Sequence, residues 1–265
     1  NNNNFKLNNL GCLNYNSCVF EQFNKHNFVF RQSNNRLRCF GSPISNLPET
    51  NIPISSKLYN NHGGYCLLNN GSLTIFGDSD YGGDNVPSNV TSSLNGKTIV
   101  SVYSTLDSFC ALTSDKNVIC WGNQSNGGSI PGPINTVIAN NVNKIFSNKN
   151  TFLCVYSSRN KIICWGSIQI PTELLDLQNT VNVYSNDTTF IVRYLSSSNN
   201  HKIKCFSTSP IHILNKNIVE NINNVKCVYS NSQSFILIYG NSNNVATCGN
   251  NNYLGGLIQD YENLN

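Results

Sequence analysis

Residues 109–122 read FCALTSDKNVICWG, and residues 152–166 read FLCVYSSRNKIICWG. Each stretch is an apolar run, a polar turn and a second apolar run that closes on Trp-Gly. Two short apolar runs around a turn of Asn, Ser, Asp or Gly predict a β-hairpin. The pattern returns at 65–77 (YCLLNNGSLTIFG), 28–41 (FVFRQSNNRLRCFG) and 235–249 (FILIYGNSNNVATCG), and a divergent copy, FIVRYLSSSNNHKIKCFS, fills 190–207. Outward from the hairpins, a third apolar segment precedes most copies: TIVSVYS (98–104), NKIFS (143–147), VNVYS (181–185) and VKCVYS (225–230). An aromatic in this segment stands six residues before the first aromatic of the hairpin, in the pairs Tyr59/Tyr65, Tyr103/Phe109, Phe146/Phe152, Tyr184/Phe190 and Tyr229/Phe235. The N-terminal copy breaks that register.

The closing residues recur every 36–45 positions. Three or four short strands per period, repeated six times, is the arithmetic of propeller blades. One blade leaves both faces bare, whereas a ring of blades buries them between neighbours. The fold expected is all-β, a single β-propeller over residues 1–265, with Phe109, Trp121, Phe152, Trp165, Phe190 and Phe235 between blades.

Composition narrows the function. Charged residues are 11% of the chain and the net charge is +4, against about 25% charged in an average domain. No basic cluster stands out, so a nucleic-acid footprint is not expected. Fifty of 265 residues are Asn. Asn belongs in turns, although an AT-rich genome would also enrich it. No apolar run is long enough to span a bilayer. Met is absent even from position 1, which is the expectation for a chain that begins after a cleavage or lacks an N-terminal piece.

FCALTSDKNVICWGNQSNGG (109–128) resembles the repeat of the regulator-of-chromosome-condensation family, with FGDSDYGGDNVPSNV (76–90) and GNNNYLGG (249–256) resembling the loop that follows its Trp-Gly. The resemblance spans nearly the whole chain and is weakest at 1–27 and 167–225. It implies a β-propeller, usually of seven blades. Six hairpins are visible, and residues 1–12 look like a loop after a Trp-Gly. Six blades, seven blades, or one blade completed by both termini therefore all stay open. The family's founding member exchanges nucleotide on a small nuclear GTPase and docks on chromatin. Secreted relatives, including a bacterial inhibitor of β-lactamase, bind protein through one face of the ring. The two-Cys repeats make this chain most similar to the secreted members.

Eleven cysteines are present, none in a C-x-x-C pair, so zinc-ribbon and thioredoxin signatures are missing. Cys110 and Cys120 are ten apart, as are Cys154 and Cys164. Residues equidistant from a hairpin turn face each other at disulfide range, so both pairs are expected bridges. The odd total leaves at least one thiol for another chain. Asp78, Asp80 and Asp84, on a Gly-rich loop, are a weak metal candidate, with a plain turn as the simpler reading. His26, His62, His201 and His212 fall at unrelated points of the repeat, and no catalytic motif accompanies them. Asn70, Asn89, Asn123 and Asn186 head N-x-S/T sequons, acceptors for glycan in an exported chain.

The sequence thus points to a non-enzymatic extracellular, surface or virion-associated propeller that binds protein or builds an assembly. No cofactor, no nucleic acid and no membrane span are expected, and an intermolecular disulfide is. The alternatives are a sugar-binding propeller, which needs aromatic platforms on its loops, and an intracellular nucleotide-exchange or chromatin factor, which needs free thiols. A propeller enzyme would need a charged axial pocket.

Overall fold

The computed structural model describes residues 21–24, 26–32, 34–48, 51–208 and 213–250. They form eighteen strands in six three-stranded antiparallel sheets, each sheet in sequence order. Blade 1 is β1 (Glu21–Phe23), β2 (Asn27–Arg31) and β3 (Leu37–Gly41); blade 2 is β4 (Lys57–Asn60), β5 (Gly64–Asn69) and β6 (Ser72–Gly77). Blade 3 is β7 (Ile99–Ser104), β8 (Ser108–Thr113) and β9 (Val118–Gly122); blade 4 is β10 (Val142–Ser147), β11 (Thr151–Tyr156) and β12 (Lys161–Gly166). Blade 5 is β13 (Thr180–Ser185), β14 (Thr189–Leu195) and β15 (His201–Ser207); blade 6 is β16 (Val225–Ser230), β17 (Ser234–Tyr239) and β18 (Asn244–Gly249). The first strands of successive blades lie side by side, β1 by β4 and onward to β13 by β16, so they line the axis of a β-propeller.

Alternation along the middle strands distributes each blade's side chains to its two neighbours. In β8, Phe109 and Ala111 pack back onto Cys66 and Leu68 of blade 2, while Cys110 and Leu112 pack forward onto Phe152 and Trp165 of blade 4. Five buried clusters fill the five successive interfaces in this way. The expected core aromatics Phe109, Trp121, Phe152, Trp165, Phe190 and Phe235 are all buried in them. The ring pairs Phe109–Trp121 and Phe152–Trp165 sit 5.5 and 5.8 Å apart.

The Gly that closes each hairpin is a backbone requirement. Gly122 has φ +103°, and a Cβ there would lie 2.5 Å from the Asp107 carbonyl oxygen. The turn before the middle strand has an equally specific device in five of the six blades. Asn61 Oδ1 accepts the backbone N–H groups of Gly63 and Gly64 at 3.2 and 2.7 Å, and its Nδ2 donates to the Tyr81 carbonyl at 2.8 Å. Asn24, Asn148, Asn186 and Asn231 do the same acceptor work in blades 1, 4, 5 and 6. Left-handed turn positions absorb more of the Asn: eleven of the thirteen described non-glycine residues with positive φ are Asn, the residue that tolerates this region best after Gly. Asn61→Ala would orphan buried backbone donors and is expected to lower stability by about 2 kcal/mol, read as a shifted urea midpoint.

The loops carry three short helices, α1 (Ser88–Leu94), α2 (Gly132–Ile138) and α3 (Lys216–Asn221). At six or seven residues they are too short for a helical period to register in sequence. Pro87 and Pro131 precede the first two.

Candidate functional site

The end blades break the pattern of burial. Phe28 and Phe40 are directly paired on blade 1, at the register that holds Phe109 and Trp121 in blade 3. They are 54% and 60% exposed, whereas the blade 3 pair is 0% and 1% exposed. Phe40 stacks on Phe30 at 5.7 Å and 4°, which extends the apolar face. On blade 6, Cys227 faces Ile238 and Tyr229 faces Ile236 across β16 and β17. Tyr229 and Ile236 are exposed, as is Cys227. The equivalent of Ile236 in blades 2 to 5 is Cys66, Cys110, Leu153 and Ile191, all fully buried. On each end blade a residue is thus exposed at a register that interior blades bury against a neighbour: Phe40 on blade 1 and Ile236 on blade 6.

The cysteines divide by register. Cys110 lies directly opposite Cys120, their thiols interact, and burial followed by that contact raises the Cys110 pKa. The same spacing fails in blade 4. Cys154 pairs with Ile163, and Cys164 with Leu153. The turn at 157–160 leaves Tyr156 opposite Lys161, one residue out of step with the symmetric reading. A one-residue offset puts two side chains on opposite faces. Cys154 accordingly packs toward blade 3 and Cys164 toward blade 5, so the expected Cys154–Cys164 bridge is not available in this register. Burial pushes the Cys164 thiol up to about 12 and raises that of Cys154 further. Cys12 and Cys18 lie outside the described residues.

The aspartate loop is spent on its own backbone. Asp78 caps a single 3-10 turn at Ser79–Tyr81 by accepting the Asp80 N–H at 2.9 Å. Asp84 accepts from Asn46 Nδ2 and the Asn85 N–H, each at 2.8 Å. Among the described residues no three His, Cys, Asp or Glu side chains converge as a metal site would need, so Asp78, Asp80 and Asp84 are not brought together. The neighbouring glycines act on the next blade: Trp121 Nε1 donates to the Gly82 carbonyl at 3.0 Å, and Trp165 Nε1 to that of Gly127 at 3.1 Å.

Of the sequons, Asn70, Asn89 and Asn123 are exposed. Asn186 is 7% exposed, and its Oδ1 holds the N–H groups of Thr188 and Thr189, so its role is the turn. Five of six blades place such an Asn two residues after the aromatic of the first strand or at the matching turn, a spacing visible in the sequence but masked by the abundance of Asn. His26 and His62, which the structure places one position apart in the turn before the middle strand of blades 1 and 2, both approach Tyr81, with ring centroids at 6.2 and 6.3 Å. Burial, then Arg193, lowers the pKa of His201; His212 lies outside the described residues. An open groove of about 1090 Å³ runs between β6 and α1, with Asp84 and Lys97 as its charged lining. No described helix is long and apolar enough to cross a membrane.

Three-stranded sheets packed side by side about an axis, each closing on aromatic-Gly, define a β-propeller of repeat-built blades. Residues 99–127, comprising β7, β8, β9 and the loop after them, match the family described as Regulator of chromosome condensation (RCC1) repeat. One blade of this β-propeller therefore carries a matched regulator-of-chromosome-condensation repeat. No curated protein sequence matches it. In structure it is similar to the ectodomain of the Physcomitrella patens receptor kinase CR4, at 14% identity and TM-score 0.54 over 91% of this chain; it spans 64% of that ectodomain. It is also similar to the ectodomain of the Arabidopsis thaliana receptor kinase ACR4, at 14% identity, TM-score 0.49 and coverage of 86% and 83%. Prp20p of Saccharomyces cerevisiae is a third, at 12% identity, TM-score 0.42 and coverage of 93% and 60%.

Proposed function

We propose that the chain is a non-enzymatic, extracellular or particle-surface propeller that binds protein or builds an assembly through the end faces of blades 1 and 6. The observation that carries this reading is the exposure of Phe40 and Ile236 at registers that are core in the interior blades. Exposed contiguous apolar surface marks protein contact, and a face shaped to receive a sheet selects an apolar sheet surface. Cys227, beside Tyr229, supplies the thiol for an intermolecular bridge. Sugar binding is less well supported, because the repeat aromatics that would serve as platforms are the ones buried between blades. The extracellular part rests on Cys110 and Cys120, which face each other at a paired position as a bridge formed in an oxidising compartment would require. Asn70, Asn89 and Asn123 are the glycan acceptors in this reading.

Sedimentation velocity of the full chain in reducing buffer, over a series of concentrations, tests the surface. The wild type is expected to self-associate. The double variants Phe28→Ser/Phe40→Ser and Tyr229→Ser/Ile236→Ser are expected to remain monomeric with unchanged circular dichroism. A wild type that stays monomeric at the highest concentration overturns the assembly reading.

A further inference from the structure

In four of the five interfaces, the closing strand of one blade presents a side chain to the large aromatic ring that closes the next. Cys39 and Phe76, Ile75 and Trp121, Cys120 and Trp165, and Cys164 and Phe206 each belong to one interface cluster. The fifth interface departs from this rule. Its forward residue is Cys205 of blade 5, and the ring position of blade 6 is occupied by Cys248. Both side chains are fully buried in one cluster, and their thiols interact directly. Val219 of α3 packs into the same cluster. Glu220 of α3 fixes β15 by accepting the Cys205 N–H at 2.8 Å and pairing with Lys204 at 3.0 Å.

We propose that Cys205 and Cys248 form an inter-blade disulfide that fastens blade 6 to blade 5 where the aromatic lock is absent. The oxidant class is a low-molecular-weight disulfide such as oxidised glutathione. The Cys205 thiolate attacks one of its sulfurs and releases a first glutathione thiolate. The Cys248 thiolate then attacks Sγ of Cys205, closes the bridge and releases the second. Two thiol protons pass to solvent and two electrons to the glutathione pair. Contact with Cys248, then burial, keeps the Cys205 thiol protonated in the finished ring, so exchange belongs to the stage before blade 6 docks. The bridge is independent of whether the end faces bind a partner.

The test refolds the full chain in a glutathione redox buffer, blocks free thiols, and maps tryptic peptides. A Cys227→Ser background is used because one tryptic peptide holds both Cys227 and Cys248. The expected result is the peptide beginning at Cys205 joined to the one containing Cys248, and a thermal midpoint about 5 °C above that of the reduced protein. Oxidised Cys205→Ala loses that gain relative to the oxidised parent and keeps only what the Cys110–Cys120 bridge contributes. Both thiols recovered alkylated only after denaturation, or Cys205 joined to another cysteine, overturns the proposal. The mapping is made on chains that retain both cysteines, so it does not depend on the Cys205→Ala variant folding.

Discussion

Trp121→Ala is expected to lower the stability of the fold by about 4 kcal/mol, while Phe40→Ala, at the same register of blade 1, costs about 1 kcal/mol or less. Trp121 is 1% exposed, lies 5.5 Å from Phe109, and donates its indole N–H to the Gly82 carbonyl of the preceding loop. Its removal leaves a cavity between blades 2 and 3 and orphans a buried carbonyl. Phe40 is 60% exposed, so little burial is lost with it. Urea unfolding followed by Trp fluorescence checks both variants. The chain has two Trp, so Trp165 still reports from blade 4 when Trp121 is gone. Equal losses for the two variants would show that burial between blades is not the dominant stabilising term.

Gly122→Ala is expected to be comparably damaging for a different reason. A non-glycine residue at strained positive φ costs about 1–3 kcal/mol, and here the added Cβ also meets the Asp107 oxygen at 2.5 Å and the Ser108 Cα at 2.7 Å. Backbone contacts of this kind have no rotamer to relax into. Gly132, the first residue of α2, has nothing within 4 Å of the Cβ it lacks. Gly132→Ala should therefore be neutral or stabilising by about 0.5 kcal/mol, through a less flexible unfolded chain. Thermal unfolding of the pair separates the two cases, and a Gly122→Ala protein as stable as the wild type would remove the backbone argument for the closing glycine.

These two positions also show why the fold was legible. Trp-Gly and its variants are short-range signals: an apolar run, a ring to bury and a turn that admits no side chain. Their recurrence placed all six hairpins within a residue of the observed strands. Cys154 and Cys164 show where such reading fails. Equal spacing from Cys to Cys suggested equal register, but the blade 4 turn pairs Tyr156 with Lys161, and that one residue sends the two thiols to different interfaces. Asn186 failed for the opposite reason: a sequon is local, whereas its burial depends on the turn that its own side chain closes. The exposed positions of blades 1 and 6 were beyond any local signal, since Phe40-Gly closes its hairpin as Phe76-Gly does, and only the neighbour decides which ring is covered.

The five interfaces join six blades in series, and among the described residues no buried cluster joins blade 6 back to blade 1. Mechanically, the described blades form a row linked by five joints. In a closed hoop a weakened joint is bypassed, because load and register travel round the other way. Among the described residues each joint is the one packed route between the blades on either side of it, and stability couples nearest neighbours. A flaw at the middle joint would part the row into two three-blade arcs that melt separately, whereas a flaw at either end would shed a single blade and leave the rest standing.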